Sequence, residues 1–392
     1  ALSYEGKMAD EMVSINCFKK QKRMKIQTIT ATKTANIIID FFSNIDRIDD
    51  YFRLRKIERV KDLPVPIPGF GLEDDMFQNY DMLPEDMDIE VTQIDNQTFN
   101  AMLEKVASFS PDQAPGKELK LVVKEKNTNT MLGFIKLGSP IINSKPRNNY
   151  LGDVPELTIF NQRAIMGFVI VPIQPFGFNY LGGKLLALIC CSHKVREMLN
   201  EKYDTEFCLF ETTSLYGNIK GTSMYDGLKP FLRFKGDTES KFVPTLGEES
   251  YASCKKIIEN DVQDEIIHKD ASSRKLKITT KMISLVKTSL KESDIDLYDK
   301  FVSAIKKAEG VTTQKRFYMS DYGFENTRDV LLGKTDTLIK GQNYDKHDLE
   351  NIINWWKRKA TSRYNNLKAS DKVRKELEVW NAETMNKIDI IR

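Results

Sequence analysis

The chain has 392 residues, 41% hydrophobic and 29% charged, with a formal net charge of +3. That length supports two or three domains, the composition excludes a disordered chain, and the near-balanced charge does not by itself demand a polyanionic partner. No apolar run reaches the roughly 18–20 residues of a membrane span, and five scattered cysteines without a CxxC pair give no zinc-ribbon signal.

The opening Ala1-Leu-Ser-Tyr lacks the charged-then-apolar layout of a secretory signal, so a cytoplasmic protein is expected, with association with a phage particle left open. Residues 1–60 read as an N-terminal helical arm: Ile37, Ile38, Phe41, Phe42 and Ile45 follow a helical period. The basic run at 19–25 is either a solvated face or a phosphate contact. Pro64, Pro66 and Pro68 stop helix, and acidic residues follow, so 61–90 reads as a linker wrapping over the core.

Residues 91–245 carry the core, a mixed α/β (α+β) arrangement. A helix is predicted over 98–109, a hairpin over 119–126 and 131–137, and a short helix over 155–163. A strand over 167–173, a long helix over 181–200 and a strand over 206–212 follow. Residues 246–392 read as a helical C-terminal domain, with helices over 249–262, 279–291, 296–308, 345–364 and 371–389. Cys190, Cys191 and Cys208 lie in apolar stretches and read as core. Cys190 and Cys191 with His193 could be drawn as ligands, but adjacent helical positions diverge by about 100°, so no metal is expected.

Chemistry concentrates in two places. Gln174-Pro-Phe-Gly177-Phe-Asn179-Tyr-Leu-Gly182-Gly183-Lys184 joins the best strand to a helix start. Such a turn offers backbone N–H groups and the positive helix end to an anion, glycine allows close approach, and Lys184 adds charge. Its plain reading is a strand–turn–helix without ligand. The second place is 210–225, dense in polar groups after the last core strand. Glu211 could serve there as a base and a tyrosine as an acid, or the segment could be a turn-rich loop. In the C-terminal region, Trp355 and Trp356 interleave with Lys357, Arg358, Lys359 and Arg363. This run is either a helix packing its tryptophans or a nucleic-acid contact.

The order hairpin, strand, turn, helix, strand resembles the GNAT N-acyltransferase core. Gln174 and Gly177 match that family's Gln/Arg-x-x-Gly-x-Gly/Ala turn, while Asn179 stands at its last position. The runs Asn161-Gln-Arg, Phe168-Val-Ile-Val-Pro, Leu209-Phe-Glu-Thr-Thr and Gly221-Thr-Ser-Met-Tyr resemble the DruA-like domain, named from a component of the Druantia anti-phage systems. Arg147-Asn-Asn-Tyr150-Leu-Gly-Asp153 is similar to another segment of it. Ser214-Leu-Tyr216-Gly-Asn218 with Gly221…Tyr225 is similar to Mom-type phage DNA-modification proteins, but Asn218 stands near that block's acidic residue.

These resemblances imply a GNAT-like transferase that modifies a base in DNA. Its acyl-CoA or related donor would lie at Gln174, Gly177, Gly182, Gly183 and Lys184. Catalysis would fall to Glu211, Ser214, Tyr216 and Tyr225. Arg147, Tyr150, Lys357, Arg358 and Arg363 would hold the substrate DNA. A duplex base would have to be flipped out for such chemistry. The alternatives are a catalytically inactive DNA-binding module of the same fold, or a structural or interaction protein with phage or defence-system partners.

Overall fold

The computed structural model describes residues 24–109, 116–239, 245–263, 266, 274–311 and 313–391. The first five residues of the 19–25 basic run, and Cys17, lie outside them. The chain divides into two compact units: 1–50 with 242–311, and 51–241 with 312–392. The boundary falls within the helix Ile48–Val60.

The first unit is helical. Thr28–Ser43 packs against Glu248–Val262, Arg274–Ser293 and Ile295–Glu309. Ala31, Ala35, Ile38, Phe41 and Phe42 recur at helical spacing and are buried, as are Cys254, Ile258, Met282, Val286, Phe301 and Ile305. Gln27 N donates to Asp261 at 2.7 Å, and Lys307 pairs with Asp46 at 2.5 Å.

Among the described residues the second unit is built on seven strands: β1 (Ile89–Gln93), β2 (Glu118–Glu125), β3 (Thr130–Gly138), β4 (Ala164–Pro172), β5 (Leu209–Ser214), β6 (Arg233–Asp237) and β7 (Arg316–Ser320). Their order is β1-β2-β3-β4-β5-β7-β6. Only β4 and β5 are parallel, paired from Ala164/Leu209 to Gly167/Thr212; the rest of β4 keeps a partner on its β3 side alone. β2, β3 and β4 are buried on both faces, which is why they read as nearly continuous apolar runs. One face packs the helices Gly182–Cys190 and Leu349–Ala369, with Leu185, Leu186, Ile189, Trp356 and Tyr364 in the main core. A second cluster gathers Phe99 and Met102 of the helix Asn96–Val106 with Phe134, Val169 and Val379.

The mixed α/β expectation holds, while β1 and the helix Lys145–Leu151 add to the predicted elements and others differ from the sequence pattern. The long helix over 181–200 is two, Gly182–Cys190 and His193–Tyr203, because Ser192 turns out of the helix and its hydroxyl caps Val195 N at 3.2 Å. β6 and β7 were not predicted. β7 lies in the stretch read as helical, where Phe317 and Tyr318 are sheet core. No helix forms over 371–389. Instead Glu378 N donates to Gln174 O at 3.0 Å and Trp380 N to Lys105 O at 2.8 Å, so tertiary pairing overrides the helical spacing. Among the described residues no helix is long and apolar enough to cross a membrane.

Candidate functional site

The 174–184 turn is closed upon itself. Gly177 N donates to Ile173 O at 2.8 Å, Phe178 N to the Gln174 side chain at 3.0 Å, and Asn179 N to Pro175 O at 2.8 Å. Lys184 N donates to Leu181 O at 3.0 Å, and the Lys184 amine to Asp226 O at 2.5 Å. Desolvation lowers the Lys184 pKa against the pull of Asp226. Leu181 takes the left-handed conformation at φ 55°, which turns the chain into the helix.

The glycines serve close packing. A Cβ on Gly177 would meet the Gln174 amide at 2.5 Å, one on Gly182 the Phe176 ring at 2.6 Å, and one on Gly183 the Met224 sulfur at 2.6 Å. Asn179 is fully buried, and its amide pairs both ways with the backbone of Arg374: Nδ2 donates to Arg374 O at 2.7 Å and Oδ1 accepts from Arg374 N at 3.0 Å. Phe178 lies 3.8 Å from the Arg374 guanidinium and 4.7 Å from that of Arg363. A pyrophosphate needs free N–H groups and open backbone. Here the N–H groups of Gly177, Phe178, Asn179, Leu181 and Lys184 all have acceptors, and the 374–380 segment covers the turn, so these residues do not fit a coenzyme donor.

The four residues expected to catalyse are not brought together. Glu211 is buried in β5, where Arg147 Nη1 meets its two oxygens at 3.1 and 3.2 Å. The Arg147 guanidinium sits 4.1 Å over the Phe160 ring and donates to Ile141 O at 2.9 Å and to Ile142 O. Burial raises the Glu211 pKa to about 7 against the opposing pull of Arg147. Arg147, on the helix Lys145–Leu151, is therefore the buried partner of Glu211.

Tyr225 is buried edge-on to Tyr318 with ring centroids 5.3 Å apart, and it shares a hydrogen bond with Thr212. Burial pushes its hydroxyl far above the ordinary range. Successive strand residues point to opposite faces, so Glu211 and Thr212, and with Thr212 the Tyr225 hydroxyl, lie on opposite sides of the sheet. The Ser214 hydroxyl accepts from Gly217 N at 3.0 Å and caps the helix Leu215–Lys220. Tyr216 packs edge-on to Phe52 at 6.3 Å.

The C-terminal basic residues divide. Lys357 donates to Glu85 O at 3.0 Å, and Arg363 is held on Phe178. Arg358 and Lys359 are exposed, and Trp356 is buried with its indole N–H on Tyr180 O at 2.9 Å. Tyr150 is half-buried, with the Lys235 amine 3.6 Å from its ring centroid. Among the described residues no group of three or more His, Cys, Asp or Glu could hold a metal.

Sequence reasoning missed the Arg147–Glu211 pair, the Asn179–Arg374 pairing and the cations near Tyr150. Only the last had a local signal, the alternation Lys229-Pro-Phe-Leu-Arg-Phe-Lys235.

Residues 72–222 match the family model described as Druantia protein DruA, a span that holds β1 to β5, the 174–184 turn and the Arg147–Glu211 pair. This stretch is thus similar to the DruA domain. No curated protein and no solved structure matches the chain.

Proposed function

We propose that a DruA-like domain makes this chain a nucleic-acid-binding component of an anti-phage defence assembly, on a transferase-type sheet that works without a coenzyme A donor. The observation that carries this is the cover over the 174–184 turn, where Asn179 pairs with the Arg374 backbone and Gln174 with Glu378. The match over 72–222 supports the defence setting. The similarity of 214–225 to DNA-modification proteins supports DNA as the partner. The hairpin β2–β3 followed by β4, the helix Gly182–Cys190 and a parallel β5 supports descent from an acyltransferase-type core.

Gel retardation across a salt series, calorimetry with coenzyme A, and mass spectrometry of nucleosides from expressing cells test this together. Salt-dependent DNA binding, no heat with coenzyme A, and unmodified bases are expected. Coenzyme A binding or a modified nucleoside would restore the transferase reading. Absence of any salt-dependent binding would leave only a protein–protein role in the assembly.

A further inference from the structure

The outer edge of the sheet carries a group of cations that the candidate site does not use. β6 is the last strand, paired on one side only, and its register with β7 shifts between Phe234 and Gly236. Lys235 therefore sits at a bulge, which re-aims its side chain. Its amine lies on the Tyr150 ring and has no carboxylate partner among the described residues. Arg233 pairs with Asp321, but its buried Nε has no acceptor.

Arg328 is exposed and lies against Gly152, where an added Cβ would fall 2.3 Å from its guanidinium. Gly152 holds φ 80°, so a side chain there is disfavoured twice. The fields of Arg233 and Arg328 both reach Tyr150, and those of Arg233 and Lys229 reach Lys235. The carboxylate facing these groups is Asp321, already bound to Arg233 and to Gly323 N at 3.0 Å. The Lys235 pKa falls to about 8, through desolvation first and then its cationic neighbours. Positive charge is in surplus here. Phe234 alternates to the other face, where Tyr318 packs at 5.6 Å and the Arg316 guanidinium lies 4.7 Å over its ring, so it stands apart from this group.

We propose that Lys235, Arg233 and Arg328, gathered around Tyr150, bind backbone phosphates of single-stranded nucleic acid running along the β6 edge. This rests on the nucleic-acid reading above and assigns it to β6 rather than to the helix Leu349–Ala369. A cationic surface that tracks the backbone is one means by which proteins hold single strands without reading sequence. An edge strand next to them leaves room for an extended chain.

The test uses the full chain and a fluorescent oligothymidine, with anisotropy read across a salt series. Lys235→Gln with Arg328→Gln removes two phosphate contacts. The slope of log K against log salt should become shallower by about 1.4, the single-strand value for two charges. Phe234→Ala, on the other face, should leave that slope unchanged. Unchanged melting temperatures would show that the variants fold. If the variants do not fold, single Lys235→Gln should still lose half the slope change.

An unaltered slope, with binding lost instead in Arg358→Gln with Lys359→Gln, would overturn the site and leave the functional reading standing. Competition by inorganic phosphate beyond chloride at equal ionic strength would make it a small-anion pocket, also overturning it. A wild-type chain that binds no nucleic acid would sink the functional reading and the site with it.

Discussion

Glu211 and Arg147 are 64 positions apart in the chain and meet in a region closed to water. A carboxylate there is stable only through its partner, since removing a charge from water costs several kcal/mol. Burial raises its folded-state pKa to about 7 from an ordinary 4.5. The folded chain then holds a proton that the unfolded chain has released across that window. Stability from this group is full below the unfolded value and is lost as pH rises toward about 7. Burial lowers the pKa of His193 and His347 and so acts in the opposite sense, but equally in wild type and Glu211→Gln; the wild-type urea midpoint should therefore fall relative to the variant's as pH rises through the window. Wild-type and variant profiles that run parallel there would overturn the assignment. The Glu-Thr sequence at the end of β5 was legible. Which face each residue takes was not, because Arg147 and Tyr225 reach them from elements far along the chain.

The strand–turn–helix at 164–190 shows how far local pattern reaches. The apolar run of β4, the glycines and the apolar helix were visible in the residues. The cover was not, because the 371–389 segment has helical spacing and abandons it for backbone bonds to Gln174 and Lys105. β7 escaped for a similar reason: five residues become a strand by entering between β5 and β6. The cover yields a prediction at this scale. Asn179→Gly restores the last position of the N-acyltransferase turn and leaves the Arg374 N–H and carbonyl without their amide. It should cost about 1–3 kcal/mol in urea denaturation. It should gain no coenzyme A binding by calorimetry, because Glu378 still holds Gln174. Binding by this variant would show that the single position, not the cover, had closed the turn.

At the scale of the molecule, β6 and β7 are neighbours although the helical unit separates them in sequence. Thr238 N donates to Lys315 O at 2.8 Å, so the two ends of that insertion meet as a hairpin would. Joining 51–239 to 313–391 through a two-residue Asn-Gly turn should therefore keep the sheet. One cooperative thermal transition with strand-rich circular dichroism would bear this out, and a molten chain would refute it. Truncation after the first unit should fare worse, for it removes β7 from between two strands.

The slot for β7 also sets a timetable for synthesis. Among the described strands every one but β7 is made before the helical insertion, and the nascent sheet must wait with β5 unpaired on one side. Closing a longer loop adds only about 0.6 kcal/mol per doubling, so the finished protein is little penalised. The growing chain, in contrast, spends the translation of the insertion with an open strand edge, the feature most prone to wrong pairing.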